Sequence, residues 1–216
     1  MTKPERRLPT RRDAVANRER LLLGAEDYFA ELGIDAPLHG LADRVGVGIG
    51  TVYRNFPSHP DLVRALYDRI VERFDVVAEE CTEQPTGWDA IETLIRRSVQ
   101  LLVAQPATAS IMRRQHHNDP EYQPGRKWSE PIAEYVQKAK DEGRLRDDVT
   151  ATDIATIPFT MSSIQSLPMG DESAVPHRLI TLMLDGLQAH PHEATPIDVD
   201  PLTRRDHYSL VHGARN

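Results

Sequence analysis

Apolar positions recur at spacings of three and four along most of this chain, a rhythm that predicts helices rather than strands. Leu22, Ala25, Phe29 and Leu32 mark one stripe within a helix from Val15 to Leu32, with Gly33 as its stop. Leu38, Leu41, Ala42 and Val45 mark a second helix of two turns. Gly46 then lets the backbone leave helical geometry without a Cβ penalty, and Val47 gives the turn an inward anchor. A third short helix, Ile49 to Phe56, buries Val52 and Phe56 at i and i+4 and turns Gly50, Thr51, Tyr53, Arg54 and Asn55 elsewhere. Two short helices joined by a glycine turn make a helix-turn-helix. Ser58-His59-Pro60-Asp61 reads as an N-cap with an acidic partner, opening a long helix with Leu62, Val63, Leu66, Ile70, Phe74 and Val77 along one seam.

The groups left outside on the third helix suit a DNA duplex. Gly50 permits close approach, the hydroxyls and amide of Thr51, Tyr53 and Asn55 can bond phosphates, and the Arg54 fork matches a guanine edge. A solvated face on a core helix would show the same spacing, so the surrounding helices carry the distinction. From about Asn17 to Val76 the chain resembles the N-terminal DNA-binding domain of the TetR family of bacterial repressors, through the phrases GLADRVGV, GTVYRNF and PSHPDL. The resemblance implies that Gly50, Thr51, Tyr53, Arg54 and Asn55 touch bases and phosphates of a palindromic operator. It has departures. Gly48 and Pro37 stand where relatives have capping Ser or Thr, Ile49 replaces a polar or basic residue, and Asn55 replaces a frequent His.

Downstream, Thr86-Gly87-Trp88-Asp89 caps a helix to about Gln105 with Ile91, Leu94, Ile95 and Leu102 inward, and Pro106 ends it. Ala107 to Gln115 is a short helix, and His116-His117-Asn118-Asp119-Pro120 reads as a turn. Pro124 to Glu142 reads as one helix, bent at Pro131 and stopped at Gly143, with Trp128, Ile132, Tyr135, Val136 and Ala139 inward. A helix opens at Thr150-Ala151-Thr152-Asp153 and runs to about Gln165, interrupted at Pro158; another spans Ala174 to Ala189. The tail from Pro191, with Pro196 and Pro201, reads as a mobile or loosely docked extension whose only faint pattern lies at Arg204 to Val211. The expected fold is therefore all-α with about nine helices. It comprises a three-helix DNA-binding domain at 17–76, a regulatory and dimerisation domain at 77–190, and flexible tails at 1–16 and 191–216.

The phrase EGRLRDDVTATDIA, Glu142 to Ala155, also resembles TetR regulators. The resemblance implies a cavity for a small-molecule effector in the second half, for which Trp88, Met112, Tyr122, Trp128, Phe159 and Met161 are candidate lining and His116 or Gln165 candidate polar handles. Aromatics and methionines at helical spacing equally suit an ordinary core. It also implies a homodimer joined through the last helices, with Leu179, Leu182, Met183, Gly186 and Leu187 as candidate interface, although these too suit intrachain packing. Two-fold symmetry answers a physical need, because two reading helices about 34–36 Å apart can enter successive major grooves.

Composition adjusts the picture in three places. At 216 residues, 39% apolar, the chain can bury a good-sized core, and without a run of 18 apolar residues or a signal-like start it is expected to be cytoplasmic, away from membranes. A net charge of −7 looks wrong for a DNA binder until it is divided: residues 1–20 carry seven Lys or Arg against three acids, leaving −11 on the remainder. Arg11 and Arg12, at the end of a Pro-containing arm, are then candidate phosphate contacts, unless the arm is only a solvated tail. The single Cys81 excludes an intrachain disulfide, and adjacent His116 and His117 lack the i, i+4 geometry of paired metal ligands, so neither metal nor cofactor is expected. No GxSxG, HExxH or phosphate-cradling loop points to an enzyme. The expected function is a ligand-responsive repressor; the alternative is a helix-turn-helix used only as a protein-interaction module.

Overall fold

Backbone hydrogen bonding closes into helices nearly everywhere the three-and-four rhythm predicts them. The computed structural model describes residues 11–162, 174–189, 197 and 199–212. Within them lie ten α-helices: α1 (Arg11–Leu32), α2 (Leu38–Val45), α3 (Ile49–Asn55), α4 (His59–Thr82), α5 (Gly87–Ala104), α6 (Thr108–Asn118), α7 (Ser129–Asp141), α8 (Ala151–Ser162), α9 (Ala174–Leu187) and α10 (Arg204–His212). A 3₁₀ turn, Pro124–Trp128, precedes α7. The chain divides into two compact units, Met1–Leu66 and Tyr67–Asn216, so the division falls within α4.

In the first unit α1, α2 and the start of α4 bury Leu21, Ala25, Phe29, Leu41, Leu62, Val63 and Leu66 around α3. Gly24 is required here, since a Cβ on it would strike the Val45 side chain; Gly40 likewise gives room to the Tyr28 ring, whose hydroxyl donates to the Pro37 carbonyl at 2.8 Å. Two glycines in left-handed backbone, Gly33 (φ 84°) and Gly46 (φ 73°), end α1 and α2 where expected. Leu32, expected inward, is exposed in the last turn before that exit, and Leu21 and Tyr28 take the buried places on α1.

In the second unit α5 is central and lies against α7, α8 and α9. Its N-terminus is capped twice: Asp89 N donates to Thr86 Oγ1 (3.0 Å), and the Glu142 carboxylate accepts from the backbone N–H groups of Gly87 (2.8 Å) and Trp88 (3.3 Å). Gly87 allows this closeness, because a Cβ there would collide with the backbone of α7 at Ala139 and Tyr135.

Several boundaries differ from the expected ones for identifiable reasons. α1 begins at Arg11, so Arg11 and Arg12 belong to its first turn and the expected arm is shorter. α6 continues through His116 and His117 to Asn118, since nothing breaks a helix before Pro120. Pro131 is the third residue of α7, where its missing N–H has no intrahelical acceptor, so the first turn accommodates it. Pro158 sits inside α8, which runs on to Ser162. α9 stops at Leu187 because the chain turns to pair with 144–146: Arg146 N donates to Leu187 O (3.1 Å) and Ala189 N to Arg144 O (2.9 Å). The expected loose tail includes α10, which Thr203 and Asp206 cap reciprocally and which lies against α6 and α8.

Candidate nucleic-acid interface and cavity

Val52 and Phe56 are 0% and 1% exposed, and they tether α3 to the first unit by one side. The other side faces solvent: Gly48, Gly50, Tyr53 and Arg54 are exposed, with Thr51 and Asn55 half-buried. Tyr53, at 44%, is one of the more exposed aromatic rings. Neither Pro37 nor Gly48 supplies a side-chain cap to the helix it precedes. The Arg54 fork rests on its own helix, Nε donating to Gly50 O and Nη2 to Thr51 Oγ1, both at 3.0 Å; Asn55 Nδ2 donates to Thr51 O at 2.8 Å. Arg54 and Thr51 are thus already aligned side by side on an exposed surface.

Two basic residues that the sequence placed in the general positive charge of the N-terminal segment have defined work. Arg18 Nη1 donates to the Asn55 carbonyl (3.2 Å) and its guanidinium lies 4.5 Å from the centre of the Phe56 ring. Arg20 Nη2 donates to Val45 O (3.2 Å). Each cation therefore meets a carbonyl that the helix itself leaves without a partner, at the C-terminal end of α3 or α2, where the helix dipole favours positive charge. The signal was legible only as charge; which carbonyl each cation meets depends on how α1 crosses its neighbours. Arg44 and Glu31 form a two-pronged pair (2.6 and 2.5 Å), which holds the Glu31 carboxyl below its ordinary range.

The second unit contains a cavity of about 1090 Å³ between α4, α5, α6, the 3₁₀ turn, α7, α8 and α10. Phe74, Met112, Trp128, Ile132 and Phe159 give it apolar walls, and His116 joins them through the continued α6. The Phe74 ring lies 5.6 Å from Trp128 and 6.2 Å from Phe159, while Trp128 Nε1 donates to Asp75 Oδ1 at 2.9 Å. Of the expected lining, Trp88 and Met161 are instead buried in the α5–α9 core, because their positions on α5 and α8 face that cluster. Tyr122 is not on the wall: its hydroxyl donates to Asp68 (2.7 Å) and its ring meets the edge of Tyr67. Gln165 lies outside the described residues. Cys81 lines the cavity, and burial pushes its thiol up to about 11, so the unreactive thiol form prevails at neutral pH.

Sequence reasoning missed the wall that α10 provides. His207, Tyr208 and His212 all face the cavity, and burial lowers both histidines, His212 to about 4. The faint Arg204 to Val211 pattern was the available signal. On α9, Leu179, Met183 and Leu187 lean against the core, whereas Leu182 is 55% exposed and Gly186 faces open space. Among the described residues no helix is long and apolar enough to cross a membrane.

Comparison with known proteins agrees with this architecture. Residues 88–189 match the TetR-type family described as "Transcriptional regulator SbtR-like, C-terminal domain". Over 108 residues, 47% of this chain, the sequence is 30% identical to the HTH-type transcriptional regulator SAR0097 of Staphylococcus aureus (strain MRSA252); the chain spans 56% of the length of that curated relative. The TetR transcriptional regulator SCO0520 from Streptomyces coelicolor is 29% identical, with a TM-score of 0.58 over 80% of this chain and 99% of that one. AibR, solved with isovaleryl coenzyme A and operator DNA, shares the fold at 13% identity, with a TM-score of 0.63 over 79% and 97% of the two chains. With a helix-turn-helix ahead of a matching C-terminal body, the chain is similar in both parts to the TetR family of transcriptional regulators.

Proposed function

We propose that this protein is a ligand-responsive repressor that binds a palindromic operator as a homodimer in the cytoplasm, with residues 17–76 reading DNA and 77–190 serving regulation and dimerisation. The observation that carries the reading is the division of α3: Val52 and Phe56 bury one side while Tyr53, Arg54 and Gly50 leave the other open to a partner. In this reading Arg54 forks onto a guanine edge, Thr51, Tyr53 and Asn55 bond phosphates, Gly50 allows close approach, and Arg11 and Arg12 add contacts along the backbone. Regulators of this family are not enzymes, and occupancy of a promoter-overlapping site is sufficient to block a polymerase.

The effector enters the cavity bounded by Met112, His116, Trp128 and Phe159. The fold accommodates both kinds of partner, since AibR holds an acyl coenzyme A and operator DNA. An effector changes DNA occupancy only if it binds the DNA-competent arrangement and its alternative with different affinity. The exposed Leu182 on α9, beside the open Gly186 and the half-buried Leu179, Met183 and Leu187, supports assembly through that helix.

Selection of bound fragments from the host genome at two salt concentrations tests the reading. A steep fall of affinity with salt and a preference retained for one palindrome are expected. Absence of DNA binding would instead favour a protein-interaction module, and a monomer by sedimentation would remove the palindrome.

A further inference from the structure

The α10 wall differs chemically from the rest of the cavity. His212 is 8% exposed, and its Nδ1 lies 3.1 Å from the carbonyl oxygen of Tyr208. A carbonyl only accepts, so Nδ1 carries the hydrogen and Nε2 is left with a bare lone pair. That Nε2, and the Tyr208 hydroxyl, are buried with no hydrogen-bond partner among the described residues. The two rings stack with centroids 4.0 Å apart, so they form one polar patch. His207 is held in the same tautomer. Thr156 Oγ1 gives its only hydrogen to Thr152 O (2.7 Å), so the 2.8 Å contact with His207 Nδ1 is donated by the histidine, and its Nε2 becomes a second acceptor. Buried polar atoms are ordinarily satisfied, and a pair that is not, on the wall of a cavity, calls for a partner inside it.

Charge limits what that partner can be. Every charged residue lining the cavity, Glu121, Arg126, Arg204, Arg205 and Asp206, is exposed, so the ions stand in water and the buried lining is uncharged. A carboxylate has no hydrogen to give the His212 lone pair and would lose its hydration against Phe74, Trp128 and Phe159. A ketone could take the Tyr208 hydrogen but would leave His212 unsatisfied. An ammonium could serve His212 but could not accept from Tyr208. A hydroxyl does both.

Resting on the cavity reading above, we propose that α10 is the polar recognition wall of the effector site, and that the effector is a neutral, largely apolar molecule whose hydroxyl donates to His212 Nε2 and accepts from Tyr208 Oη. The C-terminal helix thereby becomes a specificity element of the sensor.

Calorimetric titration of the full chain with decanol, decanone and decanoate tests it. Decanol is expected to bind about tenfold tighter than either of the others. Tyr208→Phe, which removes one oxygen from an otherwise unchanged ring, should weaken decanol about fivefold, in the range of one neutral hydrogen bond. His212→Leu should weaken decanol similarly and leave decanone unmoved, and His212→Gln, which restores an acceptor, should recover part of the loss. Should His212→Leu lose helicity by circular dichroism, Tyr208→Phe and His212→Gln still decide. Equal binding of decanol, decanone and decanoate, or decanol affinity unchanged by Tyr208→Phe, overturns this inference and leaves the cavity as an effector site. No binding of any of the three overturns both.

Discussion

The exposed side of α3 and the α10 wall are both short stretches of polar residues on helices tethered by apolar neighbours, yet they meet opposite surroundings. On α3, Tyr53 and Arg54 are exposed, and water or, for Arg54, its own helix meets their hydrogen-bonding needs until a partner displaces them. On α10, Tyr208 and His212 hold unmet polar atoms away from bulk water, and burial has raised the phenol and lowered the imidazole. The same residue types therefore serve different recognition. An exposed polar face favours a large, charged partner that brings electrostatic attraction over distance, while a buried one selects a small neutral partner by the exact donor and acceptor it offers.

The contrast between the two sides of α3 is broken most severely at Phe56. Phe56→Ala should cost about 3 to 5 kcal/mol and melt the first unit, read as loss of helicity and of hydrogen-exchange protection across α1–α3. Tyr53→Ala, three residues earlier at an exposed position, should leave protection intact and weaken DNA binding; equal unfolding by both would mean that α3 has no free side.

The α10 wall is sharpened by pH. His212 titrates near 4 in the folded chain and at about 6.5 when unfolded, so the unfolded state binds more protons between those values. Stability is therefore fully present above about pH 6.5 and is lost as pH falls toward 4, by roughly 3 kcal/mol in all. Tyr67 of α4, His116 of α6, and His207 and Tyr208 of its own helix surround it, and the lowered His207 adds in the same direction. Thermal melts at pH 7 and pH 5 should separate wild type from His212→Phe, the variant losing less; parallel losses would place the sensitivity elsewhere.

Arg54→Ala comes next. Loss of a bidentate guanine contact should cost about 1 to 3 kcal/mol and relax base preference at one position per half-site, measured by binding to a library of operator variants. A uniform loss across all sequences would make Arg54 a phosphate contact. The smallest effect belongs to the capping box ahead of α4, where Asp61 N donates to Ser58 Oγ (3.3 Å) and Ser58 N to Asp61 Oδ2 (2.9 Å). Ser58→Ala should lower stability by about 1 kcal/mol without changing base preference, since the cap touches no exposed α3 residue.

The sequence was most legible where a local rule was sufficient. Gly33 and Gly46 announce helix ends because left-handed backbone suits glycine, and Ser58 with Asp61 announces a helix start because both groups of the cap lie within four residues. Val52 and Phe56 gave the buried side of α3, and with it the outward set from Gly50 to Asn55. Rules of that range mislead where packing intervenes. Pro158 looked like an interruption but sits within a helix, and Trp88 and Met161 looked like pocket lining but fill the core, since only the neighbours decide which side of a helix is closed off.

By itself, then, the order of residues settled the all-helical class, the helix-turn-helix and its polar side, because hydrophobic periodicity and caps act over a few residues. What only the tertiary structure decided is which distant groups meet: Arg18 at the end of α3, Glu142 at the start of α5, and a C-terminal helix closing a cavity with His207, Tyr208 and His212. Such meetings join residues dozens of positions apart, and desolvation, which fixes what those groups can bind, exists only once the chain has folded around them.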